Sequence, residues 1–556
     1  MKTASIIRFA AFAFLGGLML SQSATAQQTG EVKDQEFIIR KDRVLTLPPK
    51  SRRFEKLPTL PTPSSSNSFT YEPKSYAIQT QASEITATAA QKQFPKKREE
   101  LFPGFARVGF GNYSSPILEG RYNLWEDGDY NAGAHFKHEG FYTGPVAGRN
   151  SAEHFTNFKA DGNLYKDFFQ LYGGLKYDRH QFNFFGYDPE NPLLADFIPN
   201  QNTLQTFQVH AGIADLEKLE GLNYDARIGI RGFNDQFQAS ENEVLMAIHT
   251  DYWLNEKMFS SIDLDLSLTT PRDEFYQDIN RNYFGIRPSF EYRDAQLEVK
   301  VGANIIVEND ITLNKRSDFH VYPDVFAAYQ IQDEIGAFVS FAGDVHRKTY
   351  LDFVNENPFL GPSNALLNTI QRYKVSAGAK GTLLDNLTYE AGFSFGRFRN
   401  MHFFNPSASD SLRFEILFDG ETQVLNYFAR AGFKYENWYF GSFGVDYFQY
   451  TTSELQGAFH RPSVEVKWNN NFRPTEDWLI QMNVMAMGGI QVFEVGTDNI
   501  TTLPTVLDLQ LKADYKINDR ISVFAVGNNL LNRRNQRFIN YPVRGIQGIL
   551  GATIKF

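Results

Sequence analysis

The sequence predicts an all-β chain: a transmembrane antiparallel β-barrel of about 22 strands over residues 105–556, preceded by a signal peptide, 1–26, and a largely irregular periplasmic or lumenal arm, 27–104. Three observations predict it. The composition is aromatic-rich and free of cysteine, long segments alternate apolar and polar residues with period two, and the connections between those segments alternate short with long.

The 556 residues include 51 Phe and 27 Tyr beside 8 Met and no Cys. The missing cysteines exclude a disulfide framework, a thiolate metal site, a thiol nucleophile and a lipoprotein anchor. Beyond residue 26 no apolar run approaches the roughly 20 residues that a spanning helix needs, so a membrane is crossed with strands. A net charge of −9 and the predicted compartment disfavour nucleic acid as a partner.

At the N-terminus, Lys2 and Arg8 precede an apolar stretch over 9–20, and Ala24-Thr25-Ala26 is a small-residue cleavage site. Cleavage is predicted between Ala26 and Gln27. From 27 to 104 the chain lacks sustained periodicity and is punctuated by Pro48, Pro49, Pro58, Pro61, Pro63, Pro73, Pro95 and Pro103, leaving room for one short strand in 31–40 and a short helix near 83–93. This arm holds 13 basic and 9 acidic residues. With +2 in the signal and −9 overall, the barrel carries about −15. A basic arm can thread an acidic lumen, with Arg52, Arg53, Lys96, Lys97 and Arg98 as its natural contacts; the alternative is a solvated periplasmic tail.

Past residue 105 the alternation sets in. Leu507, Leu509, Leu511, Ala513, Tyr515 and Ile517 share one face, and Asp508, Gln510, Lys512, Asp514 and Lys516 the other. Ile262 to Leu268, Leu297 to Ile305 and Val464 to Trp468 divide in the same way. A β-sandwich also alternates, but with strands of about five or six residues. Many segments here run to ten or more, which suits a tilted spanning strand of about 9 to 11. Short connections fall at 126–129, 255–257, 293–294, 332–334, 385–386, 436–437, 473–477 and 518–520, and long ones at 187–203, 309–319, 349–368, 402–413 and 533–544. Only the first external connection, 114–116, is short. Trp125, Trp253, Trp438 and Trp478 lie beside proposed periplasmic turns, as an interfacial aromatic belt predicts. The last strand ends on Phe556 in phase with Ile554, the form of an insertion signal read by the barrel-insertion machinery.

Gly527-Asn-Asn-Leu-Leu-Asn532, followed by Asn540-Tyr-Pro-Val-Arg-Gly545 and the terminal Phe556, resembles the closing hairpin of TonB-dependent receptors. That resemblance implies a 22-stranded outer-membrane barrel that binds or transports a solute, with outer-membrane lipid and TonB or other envelope proteins as partners. The family carries a folded plug, for which the arm is short. The chain therefore resembles a plug-reduced, Bacteroidota-type relative, which opens two alternatives: a non-transporting scaffold of an envelope complex, and a passive porin.

No constellation carries catalysis, a cofactor or a metal. His135 and His138 sit three apart on a strand and face opposite sides, and Gly109-Phe-Gly111 and Gly378-Ala-Lys-Gly381 lack phosphate-loop spacing. The stretches 187–192, 350–359 and 533–538 mix aromatics with charge, as binding loops do and as loops packed over a barrel mouth do.

Overall fold

The structure is a computed structural model that describes residues 102–126, 128–186, 200–216, 221–274, 279–310, 317–361, 365–384, 386–495 and 498–556. The signal peptide, the Ala26–Gln27 cleavage site and the arm with Arg52, Arg53, Lys96, Lys97 and Arg98 lie outside the described residues. Among the described residues no helix is long and apolar enough to cross a membrane.

Twenty-two antiparallel strands form one closed sheet, each paired with its neighbours along the chain. The first strand, Gly104–Gly111, pairs with Ser115–Glu126 on one side and with the last strand, Gln547–Lys555, on the other. That seam runs from Phe105 opposite Lys555 to Gly111 opposite Ile549. Gly104 N donates to Phe556 O at 3.1 Å, and Phe556 N to Gly104 O at 3.0 Å, which completes the ladder at its periplasmic end. Hydrocarbon offers no substitute for a missing backbone partner, so a spanning sheet has to close in this way.

The period-two pattern sorts the wall. Val108, Phe110, Leu118, Tyr122, Leu124, Leu550, Ile554 and Phe556 stand exposed on the outer surface. Arg107 and its register partner Glu119 face inward and pair at 3.1 Å. Likewise Leu511, Tyr515 and Ile517 are exposed outside, and Lys512 meets Asp514 at 3.1 Å inside. The outer surface is apolar and the inner one charged, the division an outer-membrane barrel requires.

The eight predicted short turns are present within a residue or two, and 166–168 adds one more. Their tightness has local causes. Gly128 takes φ +84 in the first, and Asp294 Oδ1 accepts from Gln296 N and Leu297 N, each at 2.9 Å. Asn518 Oδ1 does the same for Arg520 N and Ile521 N. The first external connection, 112–114, is short as predicted, with Tyr113 and Ser114 both left-handed.

The tryptophan belt is only half as predicted. Trp478 packs against Tyr515 at 4.8 Å, tilted by 39°, on the outer wall, and Trp438 packs on Tyr435 at 5.7 Å. Trp125 and Trp253 face inward instead. Tyr122 and Leu124, and Tyr252 and Leu254, occupy the outward positions of those strands, and Trp253 Nε1 donates to Asp251 Oδ2 at 2.7 Å. Proximity to a turn fixes a residue's height in the membrane; strand parity fixes its face.

Candidate functional site

At the external end, the long connections fold over the mouth. The helix Tyr350–Glu356 begins at a capping box: Asp352 N donates to Thr349 Oγ1 at 3.1 Å, and Thr349 N to Asp352 Oδ2 at 2.9 Å. Tyr350, Leu351, Phe353 and Val354 are all buried, so the helix is wrapped on several sides rather than along one stripe. The connection 400–421 forms a hairpin, Met401–Pro406 with Phe414–Asp419, and Gln536–Phe538 with Tyr541–Pro542 forms another in the last connection.

These elements share one apolar core that includes Phe182, Phe184, Phe353, Phe404, Phe414, Phe538 and Tyr541. Phe359 stacks on Tyr541 at 3.5 Å and meets Phe182 edge-on at 5.4 Å. Phe182 belongs to the fifth strand, Phe359 to the connection after the thirteenth and Tyr541 to the connection after the twenty-first. Contacts between positions more than a third of the way round the ring bridge the mouth, so the loops form a cap.

Polar locks fasten the cap. Glu356, at the end of the helix, receives His402 at 2.7 Å and Arg461 at 3.1 Å, and Arg461 Nη2 also donates to His402 O at 3.0 Å. One triad thus ties three connections together. Burial works against ionisation of Glu356, but Arg461 and His402 outweigh it and hold the carboxyl well below its ordinary range. Burial pushes His402 down to about 4 despite Glu356 beside it. His460 Nδ1 bonds Phe404 O at 2.7 Å, and burial, reinforced by Arg537, pushes this ring down to about 3. Asp419 accepts from Thr422 Oγ1 at 2.6 Å and from the N–H groups of Ser453, Glu454 and Leu455, and so anchors the neighbouring connection.

Below the cap the wall is cross-linked by charge. Glu243 accepts from Ser267 at 2.7 Å and Thr269 at 3.2 Å and pairs with Arg231 and Arg347. Arg287 joins Asp265, Asp344 and the Tyr283 hydroxyl. At the seam, Arg107 reaches Glu119, Thr553 at 3.0 Å and Asp514 at 3.8 Å, spanning both ends of the barrel chain. Arg544, from the last connection, pairs with Glu153 at 2.6 Å, which also receives His180 at 2.8 Å. At each of these points of the wall opposite charges meet.

The residues singled out in sequence fall as follows. The stretches 350–359 and 533–538 pack over the mouth, and 187–192 lies outside the described residues. His135 bonds Glu119 at 3.1 Å and His138 bonds Thr156 at 2.8 Å, on opposite faces. Ile554 and Phe556 point outward. The sequence reading found no metal set, but the structure brings the donor atoms of Glu308, Asp318 and His320 within 4.8 Å of one another. Its signal is faint, because Glu308 and the pair Asp318/His320 flank a long connection.

No family model matches the chain, and no curated protein does. Solved structures do. The FrpB iron transporter of Neisseria meningitidis (F3-3 variant) superposes with a TM-score of 0.66 at 10% identity, over 83% of this chain and 82% of that one. The pyoverdine outer membrane receptor FpvA of Pseudomonas aeruginosa PAO1 gives 0.63 at 12% identity, over 83% and 79%. The ferric-catecholate import receptor Fiu of K12 E. coli gives 0.60 at 9% identity, over 83% and 82%. What is shared is the fold, a closed antiparallel barrel of 22 strands.

Proposed function

We propose that this barrel is an outer-membrane receptor for import, which binds its solute at the external face and admits it only when the loop cap rearranges. The observation that carries the reading is the apolar core bridging the mouth, fastened by Glu356, His402 and Arg461. A passive porin needs a standing aqueous path, and a packed core of this kind lies across it. The likeness to an iron transporter, a pyoverdine receptor and a ferric-catecholate receptor supports a gated import barrel over a sieve. TonB is the proposed energy-coupling partner, and no catalytic step belongs to this reading. Ile554 and Phe556, exposed on the outer face of the closing strand, are proposed as the signal read by the barrel-insertion machinery, with lipid as their surroundings. The basic arm with Arg52, Arg53, Lys96, Lys97 and Arg98 is proposed to enter the lumen from the periplasmic end, where the connections are short.

The scaffold alternative uses the same capped barrel as a component of an envelope complex and assigns it no solute. The test is single-channel recording of the full mature chain in planar bilayers, paired with a pull-down from solubilised outer membranes. The receptor reading expects no standing conductance and recovery of the barrel alone or with TonB. Steady ohmic channels would establish the porin, and stoichiometric envelope proteins the scaffold.

A further inference from the structure

We propose that the outer wall over the third, fourth and fifth strands binds the phosphate group of an external-leaflet lipid through His138, His154 and Arg179, a site that presupposes the outer-membrane reading above. The strands are Tyr130–Phe141, Glu153–Tyr165 and Phe169–Asn183. Register places Phe136, Phe158, Tyr177 and Phe207 side by side across these strands and the next. Phe136 and Phe207 stand exposed on the outer surface, and directly paired residues share a face, so the four rings form one outward girdle. Two residues nearer the external end the same face turns polar, with His138, Thr156, Arg179 and Gln205, and two farther on it carries Gly140, His154, Gln181 and Thr203. A strand rises about 3.4 Å per residue and tilts about 45° in such a wall, so His138 and Gly140 stand about 19 and 24 Å above Tyr130 at the periplasmic turn. The apolar band of an outer-membrane barrel is about 25 Å tall, so the polar rows lie where headgroups begin.

Donors converge above the girdle. A Cβ built on Gly140 would lie 2.8 Å from His154 Nδ1 and 3.6 Å from His138 Nε2, so the two rings meet over the glycine. His154 Nδ1 is buried without a hydrogen-bond partner, and Tyr142 packs on the ring at 4.4 Å. A nitrogen with no acceptor keeps its lone pair, so the proton sits on Nε2, which is left to donate. His138 Nδ1 meets Thr156 Oγ1 at 2.8 Å, and when it accepts from that hydroxyl its Nε2 carries the proton too. Arg179 is the register partner of Thr156, and its Nη2 donates to Gln181 Oε1 at 2.7 Å, which steadies the guanidinium. Glu139, Glu153 and Asp178 point the other way, toward Lys137, Arg544 and Lys176. The two polar rows therefore offer a guanidinium and two imidazole donors with no carboxylate, which suits a phosphate. Beneath the girdle lies an apolar groove of 520 Å³, lined by Leu124, Ala134, Ala160, Gly162, Gly173 and Leu175. A groove for an acyl chain under donors for a phosphate fits a lipid, whereas a free phosphate ion would use the donors alone.

The test is native mass spectrometry of the full mature chain in detergent, titrated with dioleoyl phosphatidic acid or with dioleoylglycerol, which has the same chains and no phosphate. Phosphatidic acid is expected to be held about tenfold more tightly than dioleoylglycerol. Arg179→Gln should weaken phosphatidic acid about fivefold, and His138→Gln with His154→Gln by a similar factor, with dioleoylglycerol binding and heat-modifiable electrophoretic mobility unchanged. Equal retention of the two lipids, or undiminished phosphatidic acid binding by both variants, overturns the site. Displacement of the lipid by millimolar inorganic phosphate assigns the donors to a free ion and overturns the lipid as occupant. A chain that does not fractionate with outer membranes overturns the localisation and this site with it; one that does, yet shows no preference for phosphate, overturns the site alone.

Discussion

Replacing Arg461 by Ala tests whether the cap is held by the triad it forms with Glu356 and His402. Arg461 pairs with Glu356 at 3.1 Å and donates to His402 O at 3.0 Å. Removing one partner of a buried pair costs about 3–5 kcal/mol, because the remaining charge is left without compensation. Glu356 and Arg461 each keep 14% side-chain exposure, which lets water in and places the cost near the lower bound, about 3 kcal/mol. That corresponds to about a hundredfold rise in the open fraction of the cap. Hydrogen exchange with mass spectrometry reads it directly at amides whose bonds belong to the cap: Asn357 N to Phe353 O at 2.8 Å and His460 N to Gln491 O at 2.8 Å. Barrel amides serve as the internal control. Adding Glu356→Gln should restore much of the protection, since no charge is then stranded. Unchanged exchange in the cap, or equal acceleration of cap and barrel, would refute the lock.

Acidification should loosen the same region. His402 and His460 have folded-state values depressed from 6.5 to about 4 and about 3, so their stabilisation is complete above pH 6.5 and is lost as pH falls toward those values. Glu356, held below 4.5, adds its loss only under more acidic conditions. At pH 5.5 each histidine should raise cap opening about tenfold, after correction for intrinsic exchange, and a flat profile from pH 7.5 to 4.5 would contradict this. At the seam, a Cβ on Gly551 meets Val108 O and the Phe524 ring, whereas one on Gly548 meets nothing within 4 Å. Gly551→Val should therefore sharply lower the yield of heat-modifiable barrel and Gly548→Ala should leave it unchanged, and equal yields would show that the seam tolerates the crowding.

The barrel was legible because its rules are local. Strand parity, turn length and a terminal aromatic in phase each depend on a few adjacent residues. The inner charge ladder was partly visible too, since Lys512/Asp514 and Lys176/Asp178 are same-face neighbours two residues apart. The cap was not legible as a site, because Phe182 lies near a strand end while Phe359, Phe414 and Tyr541 come from three separate connections, and nothing in one connection names its partner in another. One local signal was available: Thr349-Tyr-Leu-Asp352 is a capping box ahead of an apolar run and marks the helix. Trp125 and Trp253 show the converse error, in which position relative to a turn was read without parity.

The cap's construction bears on how such a barrel could open. Its core draws on strand ends and several connections, so no single loop can swing aside without exposing aromatic surface shared with the others. A solute must therefore shift a cooperative equilibrium, and moving it from 1:99 to 99:1 takes about 5.5 kcal/mol of differential binding. The Arg461 lock, worth about 3 kcal/mol, is of comparable size. A ligand able to neutralise Glu356, or to compete for Arg461 with an anionic group of its own, would supply a large part of that shift at one point. The triad, more than the aromatic core around it, is the place where binding outside and opening below can be coupled.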